Sequence, residues 1–350
     1  MTGNSKEIRV GKSLVIGGGA PICVQSMCNT DTRDIAATVA QIKQLSNAGC
    51  ELIRVAVVDI EAAKAICDIK SQINIPIVAD IHFDYKLALA AADAGVDKIR
   101  INPGNIGGDD NVKKVADTCA AKGIPIRIGV NGGSLEPSIL KKYGGVCPAA
   151  LVESALTHVS LLNKFDFDDI AISIKASDVS TTIAAYRMLA ERCNYPLHLG
   201  VTETGTQYMG TIKSAIGIGS LLCDGIGDTI RVSLTADPIE EVRAGIAILK
   251  ACGKRSSGIN LVSCPTCGRC RINLIEIANE VEARLSGISA PLKVAVMGCA
   301  VNGPGEARDA DVGIAGGDGE GLIFMHGEIV KKVPMHLLVD ELVKMTGELL

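Results

Sequence analysis

From about residue 20 to residue 250 the chain repeats one pattern: a short β-branched apolar run, a loop rich in Gly, Asn and Asp, then a stretch with apolar residues at helical spacing. The candidate strands are 22–27 (ICVQSM), 52–57 (LIRVAV), 76–82 (PIVADIH), 98–103 (KIRINP), 124–130 (IPIRIGV), 169–175 (DIAISIK), 196–202 (PLHLGVT) and 229–234 (TIRVSL). The stretch 34–48 typifies what lies between them, with Ile35, Val39, Ile42 and Leu45 on one helical face. Gly49, Gly95, Gly123 and Gly253, with Asn74 and Asn194, punctuate the helix ends. The strands show little polar alternation, as expected of a parallel sheet covered on both faces. Eight such units in one stretch predict an α/β fold of the (β/α)8 TIM-barrel type. An open doubly wound sheet is the alternative, but no G-x-G-x-x-G opens the first helix. Gly17–Gly19 precede the first of these strands and read as a turn.

The rhythm changes near residue 251, where ACGKRSSGIN is polar and Gly-rich. Beyond it a smaller α+β pattern predicts strands 259–263, 293–298, 311–315 and 321–325 and helices 271–286 and 334–348. The expected organisation is therefore a barrel over 1–250 and a small domain over 251–350. Apolar residues make up 47% of the 350, enough for two cores. The balance of 35 Lys+Arg against 39 Asp+Glu gives −4 and excludes a general electrostatic grip on nucleic acid. Aromatic residues at 3%, with no Trp, argue against base-stacking platforms. No apolar run approaches the ~18 residues of a membrane span, and the first residues carry no signal-peptide pattern, so a cytoplasmic protein is expected. In that setting the 13 Cys are reduced thiols, and Cys50, Cys67, Cys119, Cys193 and Cys223, inside apolar patterns, serve as small hydrophobes.

Charge appears where a barrel should be filled. Four predicted strands carry one fragment, Ile53-Arg54-Val55, Ile99-Arg100-Ile101, Ile126-Arg127-Ile128 and Ile230-Arg231-Val232, and Lys175 sits comparably in ISIKAS. A guanidinium between β-branched residues of a parallel strand has little access to water, and an unpaired buried charge is costly. Asp80 and Glu203 are available partners, but two carboxylates do not neutralise five cations. The excess predicts a pocket for a polyanion, since guanidinium forks hold phosphate oxygens in pairs. At the C-terminal strand ends these groups would meet Asn102, Asn131 and Glu203. A diphosphate-sized ligand is the natural candidate. His82 and His198, near strand ends, read either as catalytic groups or as hydrogen-bonded scaffold.

The second domain carries soft ligands. Cys264 and Cys267, at C-x-x-C spacing, follow one predicted strand, and Cys299 follows another. Thiolates so placed suit zinc or an iron–sulfur cluster, with a redox dithiol as a third reading. Cys270 would complete an all-thiolate set, while the loop Asn302-Gly303-Pro304-Gly305-Glu306 offers a carboxylate instead.

The strings VQSMCNTDT, IRINPGN, RIGVNGGSL, IKAS, LGVTETG, LVSCPTCGRC and GCAVNGPGEA, in this order, closely resemble the 4-hydroxy-3-methylbut-2-enyl diphosphate synthase family across essentially the whole chain, in its compact bacterial form. The resemblance implies a barrel followed by a [4Fe–4S] domain. It implies reductive ring opening and dehydration of 2-C-methyl-D-erythritol 2,4-cyclodiphosphate in the methylerythritol phosphate route to isoprenoids. Carried over by position, it implies cluster ligands Cys264, Cys267, Cys299 and Glu306, with Cys270 a bystander. It implies diphosphate anchors at Arg54, Arg100, Arg127, Asn131 and Lys175, and a catalytic carboxylate at Glu203. Asn102 and Arg231 join the anchors on the strand-end argument above. A carboxylate ligand is harder and more exchangeable than a thiolate, so Glu306 would leave one iron open to substrate. The resemblance further implies flavodoxin or ferredoxin as electron donor, and a head-to-tail homodimer in which one subunit's cluster domain caps the other's barrel.

Overall fold

The computed structural model describes residues 5–300 and 303–350. The chain divides into two compact units, Met1–Arg255 and Ser256–Leu350.

The first unit opens with an antiparallel hairpin, β1 (Ile8–Val10) and β2 (Leu14–Ile16), that the hydrophobic pattern did not foretell. Gly17, Gly18 and Gly19 follow it, all at positive φ, as the expected turn. Eight parallel strands come next: β3 (Cys23–Met27), β4 (Leu52–Ala56), β5 (Ile77–Asp80), β6 (Lys98–Ile101), β7 (Ile126–Asn131), β8 (Ile170–Lys175), β9 (His198–Leu199) and β10 (Thr229–Ile230). Their order is β8-β7-β6-β5-β4-β3-β10-β9. A parallel bridge, Ile172 to Leu197, with Ile172 N donating to Pro196 O at 2.9 Å, joins β8 to the chain entering β9 and closes the barrel. The last two strands are shorter than the apolar runs 196–202 and 229–234 predicted. Extension after β9 ends in a loop where Glu203, a non-glycine, stands at φ 56.

Aspartates start many of the intervening helices. Asp34, Asp59, Asp84, Asp178 and Asp237 each accept a hydrogen bond from a backbone N–H in the first turn of the helix that follows. Each cap ends a strand-to-helix loop and so fixes where that loop leaves the barrel mouth. At the other end Ile8, Val10 and Ile16 are buried against Cys23, Leu52, Val78 and Ala171, near the N-terminal ends of their strands. The hairpin is thus a plug, with roughly 1.5–3 kcal/mol of transfer free energy for each large apolar side chain it buries. On the same side Arg255 Nη2 donates to both Glu51 oxygens, at 2.8 and 2.7 Å, and Glu51 also accepts from Val24 N at 2.8 Å. The last residue of the unit is therefore clamped at the end away from the barrel mouth.

The second unit is a five-stranded sheet ordered β11 (Asn260–Ser263), β12 (Lys293–Met297), β13 (Val312–Ala315), β14 (Glu320–Met325) and β15 (Glu328–Pro334). The first three are parallel and the last two antiparallel. The edge strand β15, exposed and lysine-bearing, was not expected; its pattern lacks the buried alternation that marks a strand in sequence. Helices Leu274–Leu285 and Leu338–Glu348 bury Leu274, Val281, Leu338 and Leu342 against Val294, Val312 and Ile314 of the sheet. Met297, Ala307, Ala310 and Phe324 form a second core cluster.

Candidate functional site

The strand register places the barrel cations in one ring. Asp80 pairs with Arg100 and Arg100 with Arg127 across β5, β6 and β7, while Asn131 pairs with Lys175 across β7 and β8. Arg54, Arg100, Arg127, Lys175 and Arg231 line a cavity of about 120 Å³, with Asp80, His82, Asn131 and the Ser173 and Ser233 hydroxyls. Asn131 and Lys175 end their strands and Arg231 follows β10, while Arg127, second in β7, lies deeper.

Among the described residues two carboxylates, Asp80 and Glu241, meet these five cations. Asp80 Oδ1 lies 3.2 Å from Arg100 Nη1 and its Oδ2 3.7 Å from Arg54 Nε. Burial pushes the Asp80 carboxyl up, but Arg54 and Arg100, with His82 and Arg127, outweigh it and hold it below the ordinary aspartate range. The second carboxylate is Glu241, from helix Pro238–Ala251, with Oε2 3.6 Å from Arg231 Nη2. Sequence reasoning had named Glu203 as the alternative partner of these arginines; Glu241 takes that place, and its helical segment gave no hint of it.

The remaining charge is uncompensated. Arg127 is fully buried, and its Nε and Nη1 have no hydrogen-bond partner. Burial pushes its guanidinium well down, and Arg54 and Arg100 push the same way. Burial also drives the Lys175 ammonium well down, aided by the surrounding arginines, and brings Arg54 to about 10 against the pull of Asp80. Deeper in the barrel the Lys98 amine is buried without a partner, and burial with Arg127 brings it down to about 7. A site that keeps several donors dry and unpaired is electrostatically prepared for an anion.

Two glycines make room for this set. A Cβ on Gly129 would lie 2.3 Å from Arg100 Nε, and one on Gly200 would lie 3.0 Å from Lys175 Nζ. Neither was singled out from sequence.

The other predicted barrel residues fall into separate places. Glu203 is exposed at the mouth and lines an adjoining pocket of about 450 Å³ that shares Asn131 and Thr202 with the cationic cavity. Its left-handed backbone costs roughly 1–2 kcal/mol, of the kind that concentrates at functional sites. Asn102 is turned back on its own loop, its Oδ1 accepting from Gly104 N at 3.2 Å, and it does not line the cavity. His198 is buried with Nδ1 2.8 Å from Thr229 Oγ1 and reads as scaffold. His82 is half-exposed at the rim, with Nε2 3.8 Å from Asp80 Oδ2.

In the second unit Cys264 follows β11 and Cys299 follows β12, adjacent parallel strands registered Ser263 to Val296. Cys264 Sγ accepts from Gly298 N at 3.2 Å, an N–H···S bond of the kind that stabilises ligand sulfurs. Hydrogen bonding from the Arg269 backbone holds the exposed Cys267 thiol below the ordinary cysteine range. Cys270 donates to Ile272 O at 3.2 Å and packs partly buried against the helical core cluster. Glu306 ends the short helix Gly303–Glu306, whose Gly303 N donates to Cys299 O at 3.2 Å. Asn302 lies outside the described residues. Among the described residues no three Cys, His, Asp or Glu side chains converge closely enough to hold a metal ion. The donor set fits an iron–sulfur centre in its chemistry: three thiols, two of them (Cys264 and Cys267) with N–H support, beside a carboxylate-bearing loop.

Residues 5–246 match the GcpE TIM-barrel domain, and residues 260–348 match the GcpE protein C-terminal domain. The chain belongs to the GcpE family. A relative from Ruminiclostridium cellulolyticum is 60% identical over 345 residues, covering 99% of this chain and 98% of its own. One from Geobacter sulfurreducens is 61% identical over 343 residues, covering 98% and 97%. Both are described as 4-hydroxy-3-methylbut-2-en-1-yl diphosphate synthase (flavodoxin). Among solved structures, a 3-dehydroquinate dehydratase from Geobacillus kaustophilus aligns with TM-score 0.50 at 15% identity, over 72% of this chain and 99% of that one. At that identity the likeness is one of fold alone. No helix among the described residues is long and apolar enough to cross a membrane.

Proposed function

We propose that this chain catalyses the reaction for which its relatives are named, the two-electron reductive ring opening and dehydration of 2-C-methyl-D-erythritol 2,4-cyclodiphosphate to 4-hydroxy-3-methylbut-2-enyl diphosphate, with electrons from flavodoxin and in the cytoplasm. The observation that carries this reading is the cavity itself. Among the described residues its five cations have two carboxylate partners, Asp80 in the lining and Glu241 behind Arg231, and the fully buried Arg127 presents two unpartnered donors.

In this reading Arg54, Arg100, Arg127, Arg231 and Lys175 hold the diphosphate, with Asn131 beside them. Binding energy at the diphosphate positions the reacting carbon, whose C–O bond to the diphosphate breaks in the ring opening. Asp80 keeps Arg54 and Arg100 spread over the cavity. Glu203 is proposed as the carboxylate that assists protonation of the departing oxygen, a role supported by its position in a rim pocket that shares Asn131 with the cavity. Cys264, Cys267, Cys299 and Glu306 are the assigned ligands of a [4Fe–4S] cluster. When bound, it would supply electrons one at a time and a Lewis-acidic iron where the exchangeable carboxylate ligand sits. Cys270 is left out because its thiol is already engaged with Ile272 O.

The clamp of Arg255 on Glu51 supports the head-to-tail homodimer, since the chain leaves the barrel from the end away from the cavity. The catalytic unit is then one subunit's barrel with its partner's cluster domain.

The test is anaerobic purification with iron and sulfide quantified, followed by an assay with the cyclic diphosphate and reduced flavodoxin. The reading expects about four irons and four sulfides per chain and turnover to the open diphosphate. A preparation without inorganic sulfide, or a sulfide-loaded one inert to the substrate, overturns it.

A further inference from the structure

Residues Arg127, Gly129 and Asn131 alternate along β7, so all three share its inward face. Arg127 and Asn131 line the cavity, and Gly129 lies between them. Gly129 has no positive φ, so its backbone conformation does not call for glycine. Space does. An added Cβ would lie 2.3 Å from Arg100 Nε, 2.7 Å from Nη2 and 2.9 Å from Cζ. The Arg100 head reaches over from the neighbouring strand β6 and lies across this bare stretch of backbone. There its Nη2 donates to Gly129 O at 3.2 Å and its Nη1 lies 3.2 Å from Asp80 Oδ1. Gly200, just past β9, repeats the arrangement for the next cation. Its φ is likewise not positive, and a Cβ there would lie 3.0 Å from Lys175 Nζ and 2.7 Å from Arg231 O.

We propose that Gly129 and Gly200 are positioning residues for the diphosphate: their missing side chains are the recesses in which the heads of Arg100 and Lys175 lie, and these recesses keep the cavity between the cations open. The inference rests on the diphosphate reading of the site and deepens it. Arg100 is tethered on two sides, by Asp80 and by the Gly129 carbonyl, so a methyl at Gly129 leaves its guanidinium one direction to move, inward. A cavity of about 120 Å³ has little volume to give up. Gly200 is the less clean position, because a Cβ there also meets the backbone carbonyl of Arg231. Gly129 is therefore the diagnostic one.

The measurement is calorimetric binding of inorganic pyrophosphate to the purified full chain, which needs neither electrons nor turnover. Gly129→Ala should weaken binding at least about tenfold, close to 1.4 kcal/mol. In an Arg100→Lys background, whose slimmer head vacates the recess, the same substitution should change affinity less than twofold. If Gly129→Ala alone folds poorly, the Arg100→Lys/Gly129→Ala double variant should recover the folding midpoint of Arg100→Lys. An unchanged affinity in Gly129→Ala overturns the inference, as does equal weakening in both backgrounds or a double variant no better folded than the single. Wild-type protein that does not bind pyrophosphate removes the diphosphate reading as well. Wild-type binding that Arg127→Ala abolishes and Gly129→Ala leaves alone removes only the inference.

Discussion

Arg100 Nη1 and Asp80 Oδ1 stand 3.2 Å apart on neighbouring strands, the closest ion pair between buried side chains in the cationic ring. Asp80 also faces Arg54, so one carboxylate serves two guanidiniums. Removing one partner of a buried pair costs about 3–5 kcal/mol, because the other charge stays buried. Asp80→Asn should therefore destabilise the ligand-free barrel by about that much, read as a lower denaturation midpoint. Pyrophosphate should restore more stability to the variant than it adds to wild type, since it supplies the lost negative charge. Equal stabilisation of both proteins would show that the ligand does not meet these arginines.

Lys98 gives the barrel a pH dependence. Burial, with Arg127 in support, lowers its amine from 10.5 to about 7. Between those values the unfolded chain holds a proton that the folded chain lacks, so stability rises as pH increases from about 7 to about 10 and falls on the way back. Below pH 7 both states are protonated and the loss is complete. Lys98→Met should remove that slope and raise stability at pH 7 by several kcal/mol at most. The check is urea denaturation of the two proteins at pH 7 and pH 9; parallel changes in midpoint would refute the assignment.

The barrel was legible because its physics is local. Apolar runs set the strands, helical periodicity set what lies between, and an arginine inside a β-branched run is anomalous wherever it occurs. Geometry was less legible. Nothing in a helical Glu241 announces that it turns to Arg231, and Gly129, inside β7, and Gly200, just past β9, look like any other glycines until the neighbouring side chains are in place. Asn102, beside the arginine strand in sequence, is used by its own turn, a short-range bond that strand position does not foretell. The hairpin at Ile8–Val10 and Leu14–Ile16 is too short for a pattern to emerge, and its burial comes from strands far along the chain.

The thiol corner separates two carriers of the fourth ligand. Cys270 is engaged with Ile272 O, while Glu306 sits on the loop that leaves β12 beside Cys299. Glu306→Ala should retain protein fold and lose most turnover together with part of its iron. Cys270→Ala should keep iron, sulfide and turnover within about twofold of wild type, the scale of a modest packing change. Metal analysis and the flavodoxin-driven assay on the two variants decide it. Loss confined to Cys270→Ala would reverse the assignment.

Shared sites leave a signature in mixed dimers. Arg127→Ala removes a fully buried cation of one barrel, and Cys299→Ala removes a proposed cluster ligand, so each homodimer should be inactive. In a mixed dimer one barrel retains Arg127 and faces a partner domain that retains Cys299, while the other site carries both lesions. Random mixing of equal amounts puts half of the dimers in this mixed form, each with one intact site. Activity should therefore return to about a quarter of the wild-type level, about two orders of magnitude above either parent if each lesion costs about 3–4 kcal/mol in the transition state. Co-expression with two affinity tags, followed by isolation of the doubly tagged species, raises the expected value to half. If the isolated heterodimer is as dead as its parents, each barrel works with its own chain's cluster, and the clamp of Arg255 on Glu51 does not dictate a crossed arrangement.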